Sequence, residues 1–197
     1  MTTPQPNNAL LIVLVGPSGV GKSTIANRLA EKMHLKYIVS ATTRKANPKD
    51  SIGKKYDFID EQTFFKKLEQ GEFLEYANVF DEYYGTPKRP TLDYLNNGED
   101  VLLEIDVQGA LQVRFQYPNA LMIFIMPPDE NSLLQRLRER DRDTEAAIEK
   151  RYRGAKREIW MAKGSRAFDD MVINDSVDRA VDEIGRLIRQ KKSPNGI

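Results

Sequence analysis

The apolar run Leu10 to Val15 (LLIVLV) and the segment GPSGVGKS that follows it, Gly16 to Ser23, constrain this chain more than any other feature. A continuous apolar run closed by a Gly-Pro-Ser-Gly turn predicts a strand buried on both faces, as in a parallel sheet. The segment fits the P-loop pattern of Gly, four residues, then Gly-Lys-Ser/Thr. Gly16, Gly19 and Gly21 let successive backbone N–H groups turn toward one anion, and Pro17, Ser18 and Val20 complete the loop. Ser23 to Met33 reads as a helix with Ile25, Leu29 and Met33 on one face. Its first turn, which includes Thr24, offers unpaired N–H groups and a positive dipole end. Lys22 is placed to reach the β- and γ-phosphates, and Ser23 to put its hydroxyl on Mg2+. Strand, loop and helix follow in the order the motif demands. The chain is therefore expected to bind a nucleoside triphosphate with Mg2+.

The same alternation recurs downstream. Apolar runs at Val101 to Ile105 and Ala120 to Ile125 each precede a helical stretch, Gln108 to Phe115 and Asn131 to Arg140. A shorter run, Met171 to Ile173, precedes a last helix near Val177 to Arg189. Strand–helix alternation predicts an α/β fold with a mainly parallel sheet. Two stretches break it. Residues 41–90 are polar and aromatic, with short alternating segments at Tyr56 to Ile59 and Phe73 to Phe80 that predict a small β-rich insertion. Residues 137–165 are rich in arginine. There Asp141 to Asp143 read as a turn, Thr144 as an N-cap, and Ile148, Tyr152, Ala155, Ile159 and Ala162 recur at helical spacing. Residues 1–8 and 190–197 read as loose polar tails.

Composition closes off several chemistries. There is no cysteine and one histidine, which excludes disulfides, thiolate catalysis and multi-histidine metal sites. His34 is read as a cation near a helix end, not as a catalyst. Thirty basic and 29 acidic residues leave no excess to attract nucleic acid. No apolar run approaches the roughly 20 residues of a membrane span, and MTTPQPNN lacks the features of a signal peptide. A cytoplasmic single-domain protein of residues 1–197 is expected, with no nucleic-acid or membrane partner and with monomer and homodimer both open.

A phosphate loop does not name the phosphate acceptor, but the insertion carries groups suited to one. Ser40, Thr42, Thr43 and Arg44 follow a predicted strand at Tyr37 to Val39 and supply hydroxyl donors and a cation. Tyr56, Tyr83 and Tyr84 supply rings and phenols. Glu75 supplies a carboxylate that can accept from guanine's ring N1–H and exocyclic amine together, a donor pair that adenine lacks. Singly, each has a plainer reading: tyrosines that pack a strand, a solvated glutamate, one arginine among 30 basic residues. Together, on an insertion behind a phosphate loop, they point to a second ligand.

At these residues the chain resembles the guanylate kinase family of ATP-dependent GMP kinases. The segments GPSGVGKST, SATTR, GKKYDF, GEFLEYANVFDEYYGTP, LLEIDVQG, IFIMPP and VIND stand in the family's order and at its spacing, over about residues 9 to 190. The resemblance implies a three-layer P-loop NTPase fold in three parts: a core (9–40, 91–135 and 166–190), a GMP-binding insertion (41–90) and a helical lid (136–165). It implies transfer of phosphate from ATP to GMP, and to dGMP, with Mg2+, in purine nucleotide metabolism. It implies Ser40, Arg44, Tyr56 and Tyr84 on the GMP phosphate, Glu75 on guanine with Thr86 nearby, and Asp106 close to GMP and the reaction centre. Glu104 stands where the family often has Asp. Arg136, Arg140 and Arg151 match lid arginines on the transferring phosphates, and Asn174 matches a position near adenine.

One position departs from the family. A second phosphate-binding arginine normally follows the first by three residues, and here Asn47 stands there. Asparagine makes no bidentate charged contact, a loss of roughly 1.5–3 kcal/mol if nothing replaces it. Lys45, Lys49 or Lys54 could supply a point charge instead. Two other readings are weighed against the kinase. A non-catalytic guanylate-kinase-like interaction module has no use for Lys22 and Ser23. A related kinase of a ribose bisphosphate has no use for a guanine-reading carboxylate.

Overall fold

The computed structural model describes residues 8–46, 56–139 and 144–193. Its centre is the first apolar run. Strand β1 (Leu11–Val15) is buried along its whole length and lies between β7 (Val101–Glu104) and β8 (Leu121–Met126), parallel to both. With β2 (Lys36–Tyr37) and β9 (Asp170–Ile173) at the edges, the sheet runs β2-β7-β1-β8-β9, and every neighbouring pair in it is parallel.

Because successive strand residues face opposite sides, β1 feeds two cores. Ile12 and Leu14 pack with Ile25 and Leu29 of α1 (Lys22–Met33) and Ile184 and Ile188 of α7 (Val177–Lys192). Leu11, Val13 and Val15 pack with Val107, Ala110 and Val113 of α4 (Val107–Gln116) and Ala162 of α6 (Glu145–Gly164). Each fully buried aliphatic side chain contributes roughly 1.5–3 kcal/mol. The result is three layers, helix on sheet on helix, as the alternation predicts. A third cluster, Leu133, Leu137, Ile148 and Ala155, joins α5 (Glu130–Arg138) to α6.

A second sheet lies within residues 40–87, in the order β4-β3-β6-β5: β3 (Ser40–Thr42), β4 (Tyr56–Phe58), β5 (Phe73–Val79) and β6 (Glu82–Pro87). The strand predicted over Tyr37 to Val39 is really two. Lys36–Tyr37 pairs with β7, and the chain then crosses to the second sheet, where Ser40–Thr42 pairs with β4 and β6. The periodicity also missed β6 and two helices, α2 (Glu61–Glu69) and α3 (Lys88–Asn96). Of α2's residues only Phe64 is fully buried, stacked 4.7 Å from Phe73, so no apolar stripe announces the helix.

Side-chain caps set several helix starts. Asp106 accepts from the N–H groups of Gln108 and Gly109, Asp129 from Ser132, Asp60 from Thr63, and Thr144 from Ala147. Thr144 is thus the cap its sequence predicts. His34 is the C-cap of α1 in a left-handed turn (φ 55°), a structural post that fits its noncatalytic reading. Among the described residues, no helix is long and apolar enough to cross a membrane.

Candidate active site

The phosphate loop leaves the C-terminal end of β1, beside the end of β7, where open parallel sheets hold ligands. Gly21 caps α1 with φ 96°, and a Cβ there would lie 2.6 Å from Asn174 Nδ2. Only glycine satisfies both demands. Lys22 folds back so that its ammonium donates to the carbonyls of Gly16 and Pro17. Ser23 Oγ donates to Glu104 Oε1 at 2.7 Å, and Tyr37 OH donates to Glu104 Oε2 at 2.5 Å. Glu104 is therefore held from both sides at the end of β7. The Tyr37 phenol is pushed well above its usual pKa, first by burial and then by the carboxylate beside it.

Facing this loop across one cleft of about 430 Å3 is the second sheet. The lining includes Gly16, Pro17, Ser18, Gly19, Gly21, Lys22 and Ser23 on one side, and Ser40, Arg44, Tyr56, Glu75 and Tyr84 on the other. Glu104, Asp106, Arg151 and Glu158 stand between them. The sheet explains the grouping. Ser40 pairs with Tyr56 across β3 and β4, and Ala41 with Gly85 across β3 and β6, so residues far apart in sequence share one surface. Arg44 lies over two rings, 5.4 Å from the Tyr56 centroid and 5.3 Å from that of Phe58, a cation–π geometry that fixes the guanidinium.

Glu75 is the decisive side chain of this half. It is 3% exposed, so the reading of a solvated strand residue fails. Its Oε1 accepts from Thr86 Oγ1 at 2.5 Å. Burial lifts its pKa to about 7; the Thr86 hydrogen bond opposes the rise and the nearby Asp106 charge adds to it. Asp106 is likewise raised by burial, against N–H donation from Gln108 and Gly109 and the charge of Lys22. A buried carboxylate that retains unused acceptor capacity in a cleft is suited to a ligand with two adjacent N–H donors.

Five described site residues stand apart from the cleft wall, one of them Thr86, which is fully buried and donates to Glu75. Val20 is fully buried in the core beneath the loop, and Thr24 is exposed on α1. Arg136 donates to the carbonyls of Val20 (3.2 Å) and Asn174 (3.0 Å), behind the phosphate loop. Asn174 is 2% exposed, its Nδ2 donating to Val20 O at 2.7 Å, while its Oδ1 has no hydrogen-bond partner. In this arrangement both support the loop from beneath. Arg140 and Asn47, with Lys49, Lys54 and the Asp141 to Asp143 turn, lie outside the described residues. Lys45 is described and exposed. On α6, Glu149 meets Arg153 at 3.9 Å, and Glu145 pairs with Arg138 of α5 at 2.6 Å.

The comparisons with known proteins bear on this cleft as a whole. The guanylate kinase family model matches residues 8–191. The chain belongs to the guanylate kinase family. A guanylate kinase of Caldanaerobacter subterraneus is 45% identical over 185 residues, which is 93% of this chain and 88% of that protein. One from Clostridium acetobutylicum is 42% identical over 184 residues, 93% of this chain and 86% of the relative. The crystal structure of guanylate kinase from Anaplasma phagocytophilum superposes with a TM-score of 0.79 at 31% identity, covering 95% of this chain and 88% of that one. A shikimate kinase from Bacteroides thetaiotaomicron, at 15% identity and a TM-score of 0.54, shares the fold alone.

Sequence reasoning passed over Glu158 and Phe80, which line this guanylate kinase cleft, and Tyr37, which touches it through Glu104. Glu158 lies seven residues after Arg151 on α6 and therefore on the same helix face, a spacing that could have found it. Partial burial lifts its pKa to about 7, with Lys22 pulling it down and Asp106 pushing it up.

Proposed function

We propose that this chain transfers the γ-phosphoryl group of ATP to the phosphate of GMP, and of dGMP, giving ADP and GDP or dGDP. The observation that carries the reading is the buried carboxylate of Glu75, which accepts from Thr86 and lines the same cleft as the Gly16–Ser23 loop. A triphosphate on the loop and a guanine on Glu75 bring two phosphates together near Asp106 and Arg151. Ser40, Arg44, Tyr56 and Tyr84 line the wall where the GMP phosphate would sit.

The chemistry asks little covalent work of the protein. An oxygen of the GMP phosphate, already ionised near neutral pH, attacks the γ-phosphorus. The bond from that phosphorus to the bridging β–γ oxygen breaks, and its electron pair leaves with ADP. What the enzyme must supply is alignment and positive charge. Lys22, Arg44 and Arg151 are the described cations on the cleft wall. Arg136 stands at the loop's underside, and Arg140 is proposed with them from its match to the family alone. Asn174 and Val20 hold the loop's shape for ATP, and Thr24 extends the N-terminal turn.

The donor set fits Mg2+. Ser23 Oγ and Glu104 are hard oxygen donors in contact at the loop's end. Among the described residues no cluster of three or more acidic or histidine groups could hold an ion by itself. That suits an ion carried mainly by phosphate oxygens and water. When bound, Mg2+ neutralises charge on the β- and γ-phosphates; Ser23 and Glu104 would hold it, Glu104 directly or through water. The reading treats residues 41–90 as the acceptor-binding part and 136–165 as the lid, in a cytoplasmic enzyme of purine nucleotide metabolism whose partners are these nucleotides.

The test is ADP formation from Mg-ATP with GMP, dGMP, AMP, UMP and CMP, each titrated. Turnover confined to the guanine nucleotides supports the proposal. Turnover with a sugar bisphosphate and none with GMP would overturn it.

A further inference from the structure

The turn that joins β5 to β6 makes a contact with α6 that none of the roles above requires. Phe80 (φ 55°) and Asp81 (φ 68°) both take the left-handed conformation, which is unfavourable for a residue as bulky as phenylalanine. What the strained turn achieves is placement. The Phe80 ring projects onto the face of α6 formed by Lys150, Arg151 and Gly154. The Arg151 guanidinium stands 5.5 Å from the ring centroid and the Lys150 ammonium 5.9 Å. Gly154 meets the ring edge so closely that a Cβ there would lie 3.1 Å from Phe80 Cζ and 3.3 Å from Cε1.

The ring and not the neighbouring charge pair dominates this contact. Asp81 Oδ2 and Lys150 Nζ are 2.9 Å apart, but their side chains are 87% and 59% exposed, and such pairs contribute little. The aromatic face, by contrast, shields a guanidinium from water on one side and attracts its charge. Arg151 is also the lid residue that touches the phosphate loop, its Nη1 lying 3.4 Å from Ser18 Oγ. The turn therefore connects the strand that carries Glu75 with the arginine that faces the phosphates.

We infer that Phe80 is a positioning residue for phosphoryl transfer, seating Arg151 against the phosphate loop when the acceptor-binding hairpin lies against α6. This rests on the reading of the cleft as a site for two nucleotides. The ring's contacts are with Lys150, Arg151 and Gly154 of α6. It acts through Arg151, so its loss should lower turnover and leave both nucleotide affinities nearly as they were.

Three variants test this. Phe80→Leu keeps apolar bulk and removes the π face. Its kcat should fall about tenfold or more, the loss that a displaced cation–π partner corresponds to, with the KM for GMP and ATP within about twofold of wild type. Phe80→Tyr restores the π face and should recover most of the turnover. Gly154→Ala approaches from the other side. Alanine favours a helix over glycine, so the melting temperature should hold or rise while kcat falls severalfold. That variant keeps the inference open to refutation even if Phe80→Leu does not fold. Unimpaired turnover in an active Phe80→Leu enzyme overturns the inference alone, as does an equal loss in the Leu and Tyr variants. Wild-type protein inactive with every acceptor overturns the functional reading and this inference with it.

Discussion

Gly109 of α4 stands so close to Glu75 of β5 that a Cβ on the glycine would lie 2.0 Å from Glu75 Oε2 and 2.8 Å from its Cδ. The helix therefore clears room for a buried carboxylate, and Asp106 holds that helix end by accepting from the N–H groups of Gln108 (2.6 Å) and Gly109 (3.3 Å). Gly109→Ala must push Glu75 away from its place beside Thr86. We expect the KM for GMP to rise about tenfold or more, the scale of one displaced charged hydrogen bond, while the KM for ATP stays near wild type. Steady-state kinetics with each nucleotide varied in turn checks it, and an unchanged GMP KM would show that Glu75 tolerates displacement.

The pH dependence of GMP binding follows from the same carboxylate. Guanine's two N–H groups need an ionised acceptor, and Glu75, raised to about 7, is half protonated near neutrality. The binding-competent fraction grows as pH rises through 7 and falls about tenfold per unit below it. The KM for GMP should therefore drop between pH 6 and 8 and level off above. Glu75→Gln should bind GMP weakly and lose this dependence. If the variant keeps the wild-type profile, the titrating group is the GMP phosphate or another side chain.

The core was legible in the sequence because its strands are buried on both faces and read as unbroken apolar runs, as in LLIVLV and ALMIFI. The insertion over residues 41–90 was harder to read. Its strands are short and mixed, and α2 buries only Phe64 completely, so hydrophobic periodicity carries no signal there. The cleft's membership followed from the phosphate-loop pattern and from the family's spacing, and residues such as Ser40, Arg44, Tyr56, Glu75 and Tyr84 do converge. What could not be read was direction. Arg136 and Asn174 stand beneath the loop because α5 and the end of β9 approach it from behind, a packing fact with no local sequence mark. Contacts such as Tyr37 on Glu104, between adjacent strands of the core sheet, and Phe80 on Arg151, between the hairpin and α6, depend on two segments meeting, and neither segment announces the other.

Tyr37 supports, at one remove, the end of the loop proposed to hold Mg2+. Its hydroxyl donates to Glu104 Oε2, while the other oxygen accepts from Ser23. Removing that hydroxyl leaves Glu104 held by Ser23 alone, at a cost of roughly 1.5–3 kcal/mol for a hydrogen bond to a charged group. For Tyr37→Phe we expect the Mg2+ concentration for half-maximal rate to rise severalfold, and Mn2+ bound with an ATP analogue to bind more weakly in a direct titration. The GMP KM should not move. A shift in GMP KM with intact metal affinity would instead assign Tyr37 to the acceptor side.

Asn174 ties the phosphate loop to the last strand of the sheet. Its amide reaches Val20 O at 2.7 Å from a buried position, and its own carbonyl receives the Arg136 guanidinium at 3.0 Å. Asn174→Ala removes the side-chain donor but leaves the backbone acceptor for Arg136, so the loop loses one of two supports. Burial makes the lost bond worth about 1–3 kcal/mol of unfolding free energy. Part of that loss should surface as weaker ATP binding, because the loop's N–H groups would no longer be pre-aimed at phosphate. Denaturant unfolding and ATP titration on the same variant check both halves. A stability loss with unchanged ATP affinity would mean that Arg136 alone holds the loop, and Arg136→Ala, which also opens the Val20 carbonyl, would then show the larger effect on ATP.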